Sequence, residues 1–203
     1  MSDRSAIYAA RPEDAAEVQR VLRICLCGMR PPSALTFSGG DFKGWVRDIF
    51  MPVLAPHAVA VHGMAARGDA AALITADSAL QLPPASALAG QALLAQRGGA
   101  RFLPVVRRFM TAVTEGKAPG NFVTVLALHA MDFSIALLPL VQCLLYCEWR
   151  AGSPAGGTME DFFRDAAGDV PSLPSLLVVA HPQVPQLQCL PPGGRRHSRE
   201  GRR

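Results

Sequence analysis

From Phe122 to Tyr146 the chain runs 25 residues with a single charged side chain, Asp132. Such a stretch has to leave water, either in a protein core or in a bilayer. Its length alone permits a membrane span, which needs about 20 apolar residues. His129, Asp132, Ser134, Pro139 and Gln142 all fall inside the window, and polar groups at bilayer depth are costly. The sequence therefore favours a buried unit inside a folded domain, with membrane association through 122–146 as a third reading. Within the run, Asn121–His129 is short and carries Val123, Thr124 and Val125, which predicts a central strand covered on both faces. Ile135–Trp149 reads as a buried helix bent at Pro139.

The rest of the chain alternates helical stripes with short apolar runs. Ala15, Val18, Val21, Leu22 and Cys25 recur at three and four residues, and Phe42, Trp45, Val46, Ile49 and Phe50 form a second face that Pro52 is expected to break. Ala58–His62 and Ala70–Thr75 read as two strands of a hairpin joined through Arg67-Gly68-Asp69. Segments 85–96, 102–113 and 158–167 read as helices, and Leu176–Ala180 as another buried strand. Taken together, these elements predict a single α/β domain over residues 1–182, with a mixed, mostly central sheet and helices on both faces.

Charge is unevenly placed. The chain has 20 basic and 16 acidic residues, a net +4. Residues 194–203 hold five arginines and one glutamate, which is the whole surplus, leaving 15 of each sign in residues 1–193. A neutral body has no field to steer a nucleic acid, so no nucleic-acid partner is expected for the folded part. Segment 183–203 reads as a disordered basic tail. Five cysteines at scattered spacing, after a polar opening segment, imply free thiols in a reducing, cytoplasmic setting.

The opening Ile7-Tyr-Ala-Ala-Arg-Pro-Glu-Asp-Ala-Ala-Glu-Val-Gln-Arg-Val-Leu22 resembles the start of a GNAT-family (Gcn5-related) N-acetyltransferase, with its first strand, Arg-Pro, acidic pair and alanine-rich helix. The likeness is strongest over 6–129, where the Asn121–His129 run looks like the family's fourth strand. The resemblance implies a GNAT-like fold and acyl transfer from acetyl-CoA to a small-molecule or peptide amine. It further implies that the backbone of Val125, Leu126, Ala127 and Leu128 pairs with the pantetheine arm, with His129 as the nearest candidate for the base. The chain departs from the family in lacking the Gln/Arg-x-x-Gly-x-Gly/Ala loop: the stretch after His129 is Ala130-Met-Asp-Phe-Ser-Ile-Ala-Leu-Leu-Pro139, without glycine. Acetyl-CoA binding is accordingly expected to be weak, with Asp132 repelling its phosphates, or the protein is an inactive relative. The reading from another class is a non-catalytic interaction protein whose arginine-rich tail contacts an acidic partner.

No metal is expected. Cys25 and Cys27 point to different sides of a helix, and Cys143 and Cys147 share a face among leucines, so buried inert thiols are the simpler reading. His57 and His62, five apart on an expected strand, face opposite ways. Arg150-Ala-Gly-Ser-Pro-Ala-Gly-Gly157 lacks the lysine and spacing of a phosphate loop and reads as a linker.

Overall fold

A computed structural model describes residues 15–96, 103–153 and 157–166. Among these residues every regular element is a helix: α1 (Ala15–Cys25), α2 (Phe42–Trp45), a π-helical segment (Val46–Leu54), α3 (Ala55–Ala66), α4 (Ala70–Ala79), α5 (Pro84–Ala95), α6 (Pro104–Thr114), α7 (Phe122–Asp132), α8 (Leu137–Gly152) and α9 (Met159–Ala166). The expected α/β domain with its central sheet is therefore overturned, and with it the GNAT resemblance, whose fold is built on that sheet. The acyltransferase reading drawn from that resemblance goes with it. The first strand of the resemblance, 6–10, the strand 176–180 and the tail 183–203 lie outside the described residues.

The centre of the molecule is α7, with all residues from Phe122 to Ala130 buried. It packs against α1, α3, α5 and α8, while α8 in turn packs on α1, α3 and α9. A helix apolar all round is a core helix, which is what the near-unbroken run becomes. Its β-branched Val123, Thr124 and Val125 cost helix propensity of only a few tenths of a kcal/mol each, less than the burial they gain from four neighbours. The same reasoning corrects the hairpin: Ala58–His62 lies in α3 and Ala70–Thr75 opens α4. Both runs are alanine-rich, and short apolar runs do not separate strand from helix by period. Arg67-Gly68-Asp69 remains a turn, with Gly68 at φ +72°, but it joins two helices. Asp69 caps α4, its carboxylate accepting from Ala72 N–H at 3.0 Å.

Pro52 does not break its helix. Phe42 to Ala66 is one 25-residue helical rod, and the proline is absorbed by the wider π register, in which Ala55 N–H donates to the Phe50 carbonyl five residues back. Proline has no N–H to donate and crowds the carbonyl four residues earlier. The wider register over Val46–Leu54 relieves the crowding. This rod is long and apolar enough, by length and composition, to cross a membrane. The 122–146 run is not one rod: α7 stops at Asp132, Ser134 takes a left-handed φ of +56°, and α8 starts at Leu137.

One close approach sets how α5 lies on α7. A Cβ placed on Gly90 would come within 2.0 Å of the Gly120 carbonyl oxygen and 2.9 Å of the Phe122 nitrogen. Those are backbone atoms that cannot move aside without unseating the start of α7. Gly90→Ala is therefore expected to destabilise the protein by about 3 kcal/mol through overpacking, outweighing the gain of about 1 kcal/mol in helix propensity. Denaturant unfolding of the purified variant checks this.

Candidate functional site

The densest buried polar constellation lies where α4, α5 and α3 meet the start of α7. The first N–H groups of a helix have no partner inside it and carry its positive dipole end. Here the Asn121 side chain does not supply the cap. Instead, the Asp77 carboxylate reaches over from α4, accepting from Gly120 N–H at 2.7 Å and from Asn121 N–H at 3.1 Å. Ser86 Oγ of α5 accepts from Phe122 N–H at 3.2 Å. Thr124 Oγ1 donates to Asp77 Oδ1 at 2.6 Å, and Asn121 Nδ2 donates back to the Asp77 carbonyl at 3.2 Å. Asp77 is fully buried.

His57 of α3 extends this chain, its Nε2 standing 2.8 Å from Thr124 Oγ1. Both oxygens of Asp77 accept from backbone N–H groups, which can only donate, so the geometry is that of an ionised carboxylate. Thr124 then spends its single hydroxyl proton on Asp77, and the His57 contact is a donation from Nε2–H to the threonine oxygen. That polarity is the reverse of an activated nucleophile, where the imidazole takes the hydroxyl proton. The chain holds three helices on a fourth, and no hydroxyl in it is primed to attack.

Burial pushes the Asp77 carboxyl up, and its hydrogen bonds from Thr124, Gly120 and Asn121 draw it part of the way back. Burial pushes His57 down to about 4. A second buried carboxylate, Glu148 of α8, accepts at one oxygen from Thr36 N–H (2.9 Å), Thr36 Oγ1 (2.6 Å) and Phe37 N–H (3.0 Å). It too is raised by burial. It fastens the segment after α1 to α8, and the fastened Phe37 ring packs 5.3 Å from both Phe42 and Trp45.

The residues singled out from sequence land elsewhere in the fold. Val125, Leu126, Ala127 and Leu128 lie inside α7 and are buried. Their backbone groups belong to a helical ladder, as in Val125 N–H donating to Asn121 O, so they cannot form a strand edge for a pantetheine arm. His129 is fully buried on the same helix, its Nδ1–H donating to the Cys25 carbonyl at 2.8 Å. It ties α7 to the end of α1 and does not stand at a strand end. Asp132 accepts from Leu103 N–H at 2.9 Å, at the start of α6. His57 and His62 share α3 but not one face of it. Cys25, Cys143 and Cys147 are buried, and burial raises Cys143 well above the ordinary thiol range. Among the described residues no group of three His, Cys, Asp or Glu side chains could hold a metal ion.

Asp77 and Glu148 escaped the sequence reading, although both left a signal. Asp77 is the only charge between Ala70 and Gln96, and Glu148 interrupts the apolar face of α8 between Cys147 and Trp149. A lone carboxylate in an apolar run marks a buried acceptor waiting for donors. No family model matches this chain, and no curated protein or solved structure matches it.

The two kinds of buried group give opposite pH dependences. For His57 the folded-state pKa is lowered below its unfolded value, so the unfolded chain binds the proton more readily, and stability falls as pH drops from about 6.5 towards 4. For Asp77 and Glu148 the folded-state pKa is raised, so their share of stability is largest at low pH and declines as pH climbs past the ordinary carboxyl range. His57→Gln, whose amide nitrogen can still donate to Thr124, should flatten the acid loss below pH 6.5. Glu148→Gln should remove part of the opposing slope. Asp77→Ala, which leaves three donors unanswered, should cost about 3–5 kcal/mol. Urea midpoints measured at several pH values for each variant check all three.

Proposed function

We propose that the chain is a non-catalytic interaction protein, a helical platform carrying an arginine-rich segment that binds an acidic partner. The observation that carries this reading is the segregation of charge: residues 1–193 balance at 15 of each sign, while 194–203 hold five arginines against one glutamate. Clustered guanidinium groups suit carboxylate and phosphate surfaces because each presents a planar fork of donors. Supporting it, the buried ionisable and hydroxyl groups of the helical body are committed to helix starts and a loop, as Asp77, Thr124, Ser86 and Glu148 are.

Labelled poly-L-glutamate provides a defined acidic probe. The full chain should bind it with an affinity that weakens as salt rises, since exposed charges are screened within about 10 Å at 0.1 M. Removing Arg195–Arg203 should weaken binding at least tenfold, as five contacts of roughly 0.3–0.5 kcal/mol each imply, and leave the melting temperature unchanged. Equal binding by the shortened chain would end this reading.

A further inference from the structure

We propose that Ser198 is a phosphorylation site through which an arginine-directed serine kinase, with ATP as phosphoryl donor, turns off the binding of acidic partners by residues 194–203. The switch rests on the reading given above, whereas the site stands on the chain's own pattern. Arg195 and Arg196 occupy the third and second positions before Ser198, and Arg199 follows it. Kinases choose their acceptors by such charge patterns. An acidic groove beside the catalytic centre takes up guanidinium forks, which suit carboxylates through paired hydrogen bonds. No other serine, threonine or tyrosine in the 203 residues has a basic residue at both of those positions.

The helical body removes the nearest competitors. Three hydroxyl residues have a single arginine three positions before them: Ser33 after Arg30, Thr111 after Arg108 and Ser153 after Arg150. A kinase needs a hydroxyl that can give its proton to the catalytic carboxylate, on backbone that can be laid into the groove. Thr111 sits in α6, where its Oγ1 donates to the Arg107 carbonyl at 3.1 Å. Ser153 closes α8, its Oγ donating to the Trp149 carbonyl at 2.7 Å. Ser33 is exposed, but Leu35 is buried two residues on, and Thr36 is fastened to Glu148 through its N–H and its hydroxyl. Laying Ser33 into a groove would undo that fastening. Selection by charge and selection by fold thus fall on the same residue.

In the transfer, Ser198 Oγ attacks the γ-phosphorus of ATP and loses its proton to the kinase's aspartate. The bond from that phosphorus to the β–γ bridging oxygen breaks, and ADP leaves. The phosphoserine carries about −1.5 to −2 charges at pH 7. Five arginines and Glu200 give residues 194–203 a charge of +4, which the phosphate lowers to about +2 to +2.5. The loss of binding exceeds what that sum implies. Three acceptor oxygens placed next to Arg196 and Arg199 in sequence compete for the same guanidinium forks that an acidic partner would use.

The full chain, incubated with the cyclic-AMP-dependent protein kinase, magnesium and ATP, should take up a single phosphate, located at Ser198 by peptide mass spectrometry. Ser198→Ala should abolish the uptake, and Ser33→Ala should leave it unchanged. The phosphorylated chain should bind labelled poly-L-glutamate about three- to fivefold more weakly than the unmodified one, the effect of losing two of the five arginine contacts. Phosphatase treatment should restore the affinity, and the melting temperature should stay the same throughout. Uptake at Ser33, Thr111 or Ser153 in preference to Ser198 overturns the site. A phosphorylated chain that binds poly-L-glutamate as tightly as the unmodified one overturns the switch and leaves the acidic-partner reading intact. An unmodified chain that does not bind the probe ends that reading, and the switch with it.

Discussion

The start of α7 is the point on which the helical body turns. This helix is the core, and a core helix brings its unpaired N–H groups and positive dipole end out of water with it. The cost of leaving a buried donor unsatisfied is about 1–3 kcal/mol each. Asp77 answers the N–H of Asn121 at the cap and that of Gly120 just before it, and Ser86 answers the N–H of Phe122. Because these acceptors sit on α4 and α5, satisfying α7 fixes where those two helices lie. His57 then adds α3 through Thr124. A requirement of one helix terminus has become a specification for the arrangement of four helices.

The energetics explain why carboxylates are tolerated in so apolar a body. Burial penalises the charged form of Asp77 and Glu148, as their raised pKa directions record. Each is compensated by three donors of fixed direction, and charge-assisted hydrogen bonds to a carboxylate are roughly twice as strong as neutral ones. An apolar side chain at position 77 would leave the same N–H groups stranded, so hydrophobic replacement offers no easy gain. Register is fixed in the process: sliding α4 or α8 by one residue would turn its carboxylate away from the donors it serves.

Much of the helical content was legible from spacing. α1, α6 and α9 fall where apolar residues recur at three and four, since one-sided burial leaves a periodic trace in sequence; α5 and α8 carry no such trace and read as helices from their length. The failures share one cause. α7, α3 and α4 are buried on more than one side or are rich in alanine, so their period is erased, and β-branched residues such as Val123 and Val125 then argued for strand. What decides the matter for α7 is Asp77, 44 residues from the Asn121 it caps. A cap supplied by a neighbour in space leaves no local signature beside the helix it serves. The imagined strand edge at Val125–Leu128 fell with the strand, and His129 went from a candidate base to an internal tie for the same reason.

The distribution of charge follows from the same economy of placement. Inside, ionisable groups appear where a helix start or a bent segment supplies donors, as at Asp77 and Glu148. On α5 they are missing from the outer face as well as the inner one, so the rule that puts charges at the surface is suspended there. At residues 194–203 they are concentrated in one sign. A chain whose surface had only to stay in water would spread its 36 charged residues evenly, because mixed charge serves solubility and any gap invites association. An uncharged helix face and a strongly basic segment in one chain are departures of opposite kind, and each matches a different sort of surface. The first suits apolar contact at short range, and the second suits acidic groups at a range that salt controls.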